Sequence, residues 1–168
     1  MHRIHIIGGK NHGKTTLVEE LVAELTARGL RVGTIKHTHH HHELDVPGKD
    51  SHRHRAAGAA VVGILTRSLN AIFWNPNVAP GNAALSGDAR YEQFVAAFAD
   101  CRLVIVEGDT QTNAPKLEVW RAACGTPPLA MSLNDVVAVI TDDPLAGCGR
   151  TLPRSDVIRL ADELLSRW

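Results

Sequence analysis

Apolar residues recur along this chain in two rhythms. Short apolar stretches stand at residues 3–7, 31–36, 60–65, 71–74, 103–106, 117–120 and 136–140. Runs of this length suit strands, and those with few polar interruptions suit strands buried on both faces, as parallel sheets require. Elsewhere the spacing is helical. Leu17, Leu21 and Leu25, with Val18 and Val22 beside them, predict a helix over 15–28 that ends at Gly29. Tyr91, Phe94, Val95 and Phe98 mark a second helix face, and Val157, Ala161, Leu164, Leu165 and Trp168 a terminal helix. A short helix fits 51–57. Strand, helix, strand over the first stretch of chain is a βαβ unit, whose strands run parallel with a right-handed crossover. Pro47-Gly48, the Asn/Pro/Gly/Ala-rich residues 75–87 and the polar residues 110–115 read as turns and loops. The expectation is one α/β domain over 1–168 with a mainly parallel sheet flanked by helices.

The first strand runs into Gly8-Gly9-Lys10-Asn11-His12-Gly13-Lys14-Thr15, which fits G-x-x-x-x-G-K-[ST] at every fixed position. Each residue type has a physical reason. The glycines let the backbone bend until its N–H groups approach phosphate oxygens. The helix starts where the loop ends, so its free N–H groups and its dipole face the same anion. Lys14 supplies a point charge for the β- and γ-phosphates, and the Thr15 hydroxyl is a ligand for Mg²⁺. Gly8, Gly9, Asn11, His12, Gly13, Lys14, Thr15 and Thr16 are therefore the expected phosphate-binding set. The competing reading is a glycine-rich turn with no ligand.

Such a loop needs an acidic residue at the end of another strand to hold Mg²⁺. Glu107, closing the apolar run at 103–106, has that place, with Asp109 two residues on. The polar segment 37–50 follows the second strand, where a switch loop is common in P-loop proteins. Within it Asp45 can orient a water and Lys49 can touch a phosphate. Its histidine run, His39–His42, suits either a solvated loop or a transition-metal site, since neutral imidazole is a common ligand.

Bulk properties narrow the classes. The 168 residues suit one sizeable core, and no apolar run approaches a membrane span. No leader pattern precedes the first strand, so a cytoplasmic location is expected. A formal net charge of zero argues against a broad electrostatic grip on nucleic acid. The three cysteines, Cys101, Cys124 and Cys148, are widely spaced and odd in number, which fits neither a disulfide framework nor a thiolate zinc site.

The order of motifs is also familiar. Gly8 to Leu17 is followed by Gly33-Thr34-Ile35-Lys36-His37-x-x-His40, then Asp45-x-Pro47-Gly48-Lys49-Asp50-Ser51, Arg53-His54 and Ala57-Gly58-Ala59. Val106-Glu107-Gly108 and Pro115-Lys116-Leu117-Glu118-Val119 come later. The chain resembles the molybdopterin-guanine dinucleotide biosynthesis protein B family (MobB) up to about residue 142. The resemblance implies a GTP-binding protein with weak GTPase activity that uses Mg²⁺. It implies an accessory role to the guanylyltransferase that joins GMP to molybdopterin, giving the guanine dinucleotide form of the molybdenum cofactor. It implies a homodimer paired through an extended β-ribbon arm, for which residues 69–87 with Ile72, Phe73 and Trp74 are the candidate. Carried onto this chain, Gly13, Lys14, Thr15 and Thr16 hold phosphate and metal, Glu107 lies on the metal side and Asp45 positions the attacking water. The sequence departs from the family after Val-Glu-Gly, where Asp109-Thr110 replace an aromatic and a lysine. For guanine, Asp142 in Thr141-Asp142-Asp143 is the nearest carboxylate, although the loop lacks the lysine of N/T-K-x-D.

Two other functions stay open at this level. A P-loop small-molecule kinase would need lid arginines, for which Arg53 and Arg55 or Arg150 and Arg154 are available. A His-rich metal-binding accessory protein would use the histidine run.

Overall fold

The computed structural model describes residues 1–40, 42–74 and 86–167. It divides into two compact units, residues 1–38 with 87–168 and residues 39–86.

The first unit is built on a six-stranded sheet. Its strands are β1 (Arg3–Ile7), β2 (Val32–Lys36), β5 (Leu103–Glu107), β6 (Lys116–Val119), β7 (Val136–Ile140) and β8 (Thr151–Leu152), in the spatial order β2-β5-β1-β6-β7-β8. Every adjacent pair is parallel. β1 and β2 run parallel, as the βαβ reading requires, but β5 lies between them. The short β8 has too few residues for a readable pattern.

Alternation along β5 explains the layers. Leu103 and Ile105 join Ile4, Ile6, Leu117 and Val119 on one face, covered by α1 (Lys14–Ala27) and α3 (Val157–Arg167) through Leu17, Leu21, Leu25, Leu160, Ala161 and Leu164. Val104 and Val106 point to the other face, where Tyr91, Phe98 and Ile35 pack. The sheet is thus buried on both sides, which is why its central strands read as nearly unbroken apolar runs.

The helix expected around residues 91–98 takes a different form. A 3-10 helix over Gly87–Phe94 is followed by turns, and of its residues only Tyr91 is buried. The polar residues of this stretch are tied to groups outside a helix. Asp88 pairs with Arg3 and accepts from the Asn113 N–H, while Arg90 donates to Asp109. Such bonds compete with a regular i→i+4 ladder.

The second unit holds α2 (Asp50–Ala56) and an antiparallel hairpin, β3 (Val61–Ile64) and β4 (Ala71–Trp74), as a separate two-stranded sheet. α2 packs on β3. The hairpin fits the expected ribbon; the rest of the arm and of the loop expected at 75–87, residues 75–85, lies outside the described residues, as does Trp168.

Candidate phosphate-binding site

Because the large sheet is parallel throughout, the carboxyl ends of its strands share one edge, the place where open α/β sheets put their ligands. The loop from Gly8 to Gly13 leaves β1 at that edge. Gly8 has φ 142°, and a Cβ there would lie 2.4 Å from the Val119 carbonyl oxygen, so only glycine lets the loop pass the end of β6. Gly13, at φ 94°, caps α1 without any side-chain hydrogen bond, and the first turn holds no acidic residue. The first N–H groups of α1 are left for an anion.

Lys14 folds back over the loop, donating to the carbonyls of Gly8 at 2.9 Å and Gly9 at 2.7 Å. Burial lowers its pKa and Lys36 adds to this, against the opposing charge of Glu107. Thr15 and Thr16 open α1. The Thr15 hydroxyl donates to Glu107 Oε1 at 2.8 Å, and Lys36 Nζ lies 3.2 Å from the same oxygen. These residues come from α1 and the ends of β5 and β2, and sheet order alone brings them together. The pair fits a hard cation: both donors are oxygens, and their separation is near the ~3 Å between neighbouring ligands of octahedral Mg²⁺.

His12 anchors the loop. It is almost fully buried, accepts the Arg121 N–H on Nδ1 at 3.0 Å and meets Thr126 Oγ1 through Nε2 at 2.9 Å. An accepting Nδ1 leaves the proton on Nε2, so this is a neutral imidazole donating to Thr126. Burial lowers its pKa, and nearby Lys14 pushes the same way. Asn11 sits in the left-handed region at φ 68°. The sequence motif places His12 among the phosphate-binding residues; its ring is instead engaged with Arg121 and Thr126 and holds the loop in place.

Asp142 accepts from the Ser155 N–H at 3.0 Å and from its hydroxyl at 2.9 Å, and that backbone hydrogen bond leads the causes that lower its pKa. Asp143 accepts the Ala122 N–H at 2.8 Å. Both carboxylates thus stabilise turns at the strand ends.

Asp45 and Lys49 belong to the second unit. Asp45 is buried, and its Oδ1 accepts from the Val46 N–H and the Ser51 hydroxyl, both at 2.8 Å. Its Oδ2 is buried with no partner among the described residues. Lys49 is the N-cap residue of α2 and is exposed. His40 and His42 meet edge to face, but among the described residues no group of three metal-binding side chains forms.

Two polar clusters escaped the sequence reading. Asp109 is buried in the left-handed region at φ 63°, where it accepts from Tyr91 at 2.6 Å, Arg90 at 2.7 Å and the Gln111 N–H at 3.0 Å. Burial alone would raise its pKa, but these bonds and the charges of His37 and Arg90 bring it below the usual value. Burial and the bond to Asp109 raise Tyr91. Where the sequence departs from its family pattern, the structure thus supplies a local hub. Glu118 is likewise buried and accepts the N–H groups of Leu129 at 2.7 Å and Ala130 at 2.8 Å, while buried Lys116 pairs with Asp135. The only signal for these residues was a charge inside a strand or at its end, which says nothing about its partner.

Comparison with known proteins bears on the family and the fold. The family model for molybdopterin guanine dinucleotide synthesis protein B matches residues 3–142. The chain is 36% identical to the molybdopterin-guanine dinucleotide biosynthesis adapter protein of Escherichia coli over 89% of this chain and 83% of that one. It is 37% identical to the adapter protein of the same name from Haemophilus influenzae, over 97% of this chain and 86% of that one. Among solved structures, a MobB protein homolog from Bacillus stearothermophilus superimposes with a TM-score of 0.66 at 26% identity, covering 99% of this chain and 100% of that one. The chain belongs to the molybdopterin guanine dinucleotide synthesis protein B (MobB) family.

Proposed function

We propose that this protein binds GTP with Mg²⁺ at the Gly8–Thr16 loop, hydrolyses it slowly, and acts as an adapter in making the guanine dinucleotide form of the molybdenum cofactor. The observation that carries the nucleotide reading is the Thr15 hydroxyl against the Glu107 carboxylate, beside an α1 N-terminus with no side-chain cap. The relatives' names, adapter proteins of molybdopterin-guanine dinucleotide biosynthesis, support the pathway. The expected partners are the molybdenum cofactor guanylyltransferase, molybdopterin or the cofactor itself, and a second copy of this chain. No described helix is long and apolar enough to cross a membrane, and the proposed site of action is the cytoplasm.

In this reading the loop N–H groups and the first turn of α1 hold the phosphates. Lys14 exchanges the Gly8 and Gly9 carbonyls for β- and γ-phosphate oxygens. Thr15 and Glu107 would hold Mg²⁺, which neutralises phosphate charge. The role proposed for Asp45 is to orient the attacking water, and for Lys49 to add charge to the phosphates. Asp142 is the carboxylate assigned to guanine, through the oxygen that Ser155 does not use.

For the kinase reading, three of the four candidate lid arginines are engaged: Arg55, Arg150 and Arg154 pair with Glu43, Glu163 and Glu20 at 2.5–2.6 Å, whereas Arg53 has a 3.8 Å contact with Asp50. Calorimetry with GTP and ATP, each with and without Mg²⁺, tests the proposal. Tight Mg²⁺-dependent GTP binding that Lys14→Ala removes, together with a higher yield of guanine dinucleotide when the protein joins the guanylyltransferase, is the expected result. No triphosphate binding by the folded protein would overturn it.

A further inference from the structure

Arg121 lies two residues beyond β6, at the same sheet edge as the loop. Its backbone is fixed by the bond from its N–H to His12 Nδ1. Its side chain reaches the loop itself. A Cβ built on Gly13 would meet Nη2 at 3.0 Å, Cζ at 3.3 Å and Nε at 3.5 Å. Three atoms at such similar distances place the guanidinium across the backbone of Gly13, the residue immediately before Lys14.

This cation is uncompensated. Among the described residues the Arg121 guanidinium has no hydrogen bond and no ion pair, and the residue is exposed. The nearby carboxylates are engaged elsewhere: Glu118 with Leu129 and Ala130, Asp142 with Ser155, Asp143 with Ala122. Arg154, beyond the end of β8, is tied to Glu20. The two flanks of the loop therefore differ. The β5 flank carries a hydroxyl and a carboxylate, suited to a metal ion. The β6 flank carries a free guanidinium, suited to an anion.

We propose that Arg121 is a second phosphate-binding cation, closing on the non-bridging oxygens of the triphosphate from the side opposite Thr15 and Glu107. The proposal rests on the P-loop nucleotide reading above and adds a residue to that site. A guanidinium offers a planar pair of donors to two phosphate oxygens, where an ammonium offers a single point of charge. Gly13 then has two reasons to be glycine: its φ of 94° and the room a guanidinium needs beside it.

Calorimetry with GTP and with inorganic tripolyphosphate, at one fixed salt concentration, compares the intact chain with Lys14→Ala, Arg121→Gln and Arg121→Lys. The backbone bond to His12 survives all of these substitutions, so folding is preserved, and the lysine variant keeps the charge as a second check. Arg121→Gln is expected to weaken both ligands by about tenfold to a hundredfold, with Arg121→Lys between it and the intact chain. If Lys14→Ala loses binding while Arg121→Gln matches the intact chain, the role of Arg121 is overturned and the P-loop reading stands. If Arg121→Gln weakens GTP but not tripolyphosphate, the phosphate assignment is overturned in favour of a contact to ribose or base. If the intact chain binds neither ligand, the nucleotide reading falls and this proposal with it.

Discussion

The two compact units are stabilised in different ways. Nearly every buried apolar side chain of the described residues belongs to the larger unit, with Ile4, Leu17, Leu21, Leu25 and Ile105 at 0% exposure. In residues 39–86 Val62 alone is a buried apolar residue among those described, while Leu65, Leu69, Ile72 and Val61 are exposed by 86%, 73%, 63% and 61%. The smaller unit is organised instead by polar contacts: Arg55 with Glu43, Ser51 with Asp45, and Thr66 with Leu69. A two-stranded hairpin is marginal by itself in water, and exposed apolar edge residues are a liability unless something covers them. The difference puts the packed core in the larger unit and leaves the smaller with exposed apolar residues. It is the physical support for proposing a homodimer through the ribbon.

The strongest way to break this comparison is a pair of truncations. Leu21→Ala in the core should cost about 2–5 kcal/mol of unfolding free energy, read from the denaturant midpoint. Ile72→Ala on the hairpin should stay within about 0.5 kcal/mol when the protein is dilute enough to be monomeric. Equal losses would mean that the hairpin is part of the core. At higher concentration Ile72→Asp should shift sedimentation toward the 18.2 kDa monomer, and an unchanged mass would remove the ribbon from the dimer.

Lys14→Ala sharpens the functional side. GTP binding should weaken by about tenfold to a hundredfold, the equivalent of ~1.5–3 kcal/mol, with no change in melting temperature. Glu107→Gln should matter only with Mg²⁺, because the amide keeps the shape and loses the charge. Equal loss in EDTA would give Glu107 a structural role instead.

A smaller effect is expected from the second unit. Asp45→Asn should lower GTP turnover while leaving affinity nearly as it was, since the loss falls on the reacting geometry. Hydrogen exchange across residues 37–51 should slow with a non-hydrolysable GTP analogue. Unchanged turnover and exchange would leave Asp45 as a turn residue holding Val46 and Ser51.

The mildest test is pH. Burial lowers the pKa of both His5 and His12 below the ordinary 6.5. In the window between the folded and unfolded values the unfolded chain binds more protons, so stability rises with pH there. The contribution is complete above about pH 6.5 and is lost as pH falls through the folded values. Melting temperature should therefore drop between about pH 7.5 and about pH 5.5, and drop less in His12→Gln. A flat profile would show that these imidazoles do not titrate with unfolding.

The strand-loop-helix geometry of residues 8–16 was legible because it resides in consecutive residues. Glycine positions, Lys14 and Thr15 follow one another, and the geometry they impose is local. The core helices were legible for the same reason, since periodicity is read over a few turns. The strand-end rule also placed Glu107 at the end of β5, where it meets Thr15. The stretch at 91–98 misled because aromatic spacing cannot tell a helix from a 3-10 turn whose polar residues bond elsewhere. Asp109 and Glu118 were opaque, and His12 reads as a phosphate ligand, for a related reason: a polar residue's role depends on a partner far along the chain. His12 meets Thr126 across 114 residues.

By itself the sequence determined the α/β class, the glycine-rich loop between β1 and α1, the family and the carboxylate at the end of an apolar strand. Tertiary structure decided that β5 lies between β1 and β2, which brings Thr15 and Glu107 together across 92 positions. It decided that Asp109 is buried and that Arg121 lies across Gly13. The division follows from range: dihedral preference and periodicity act between neighbours in the chain, whereas the order of strands is settled by the burial of whole faces.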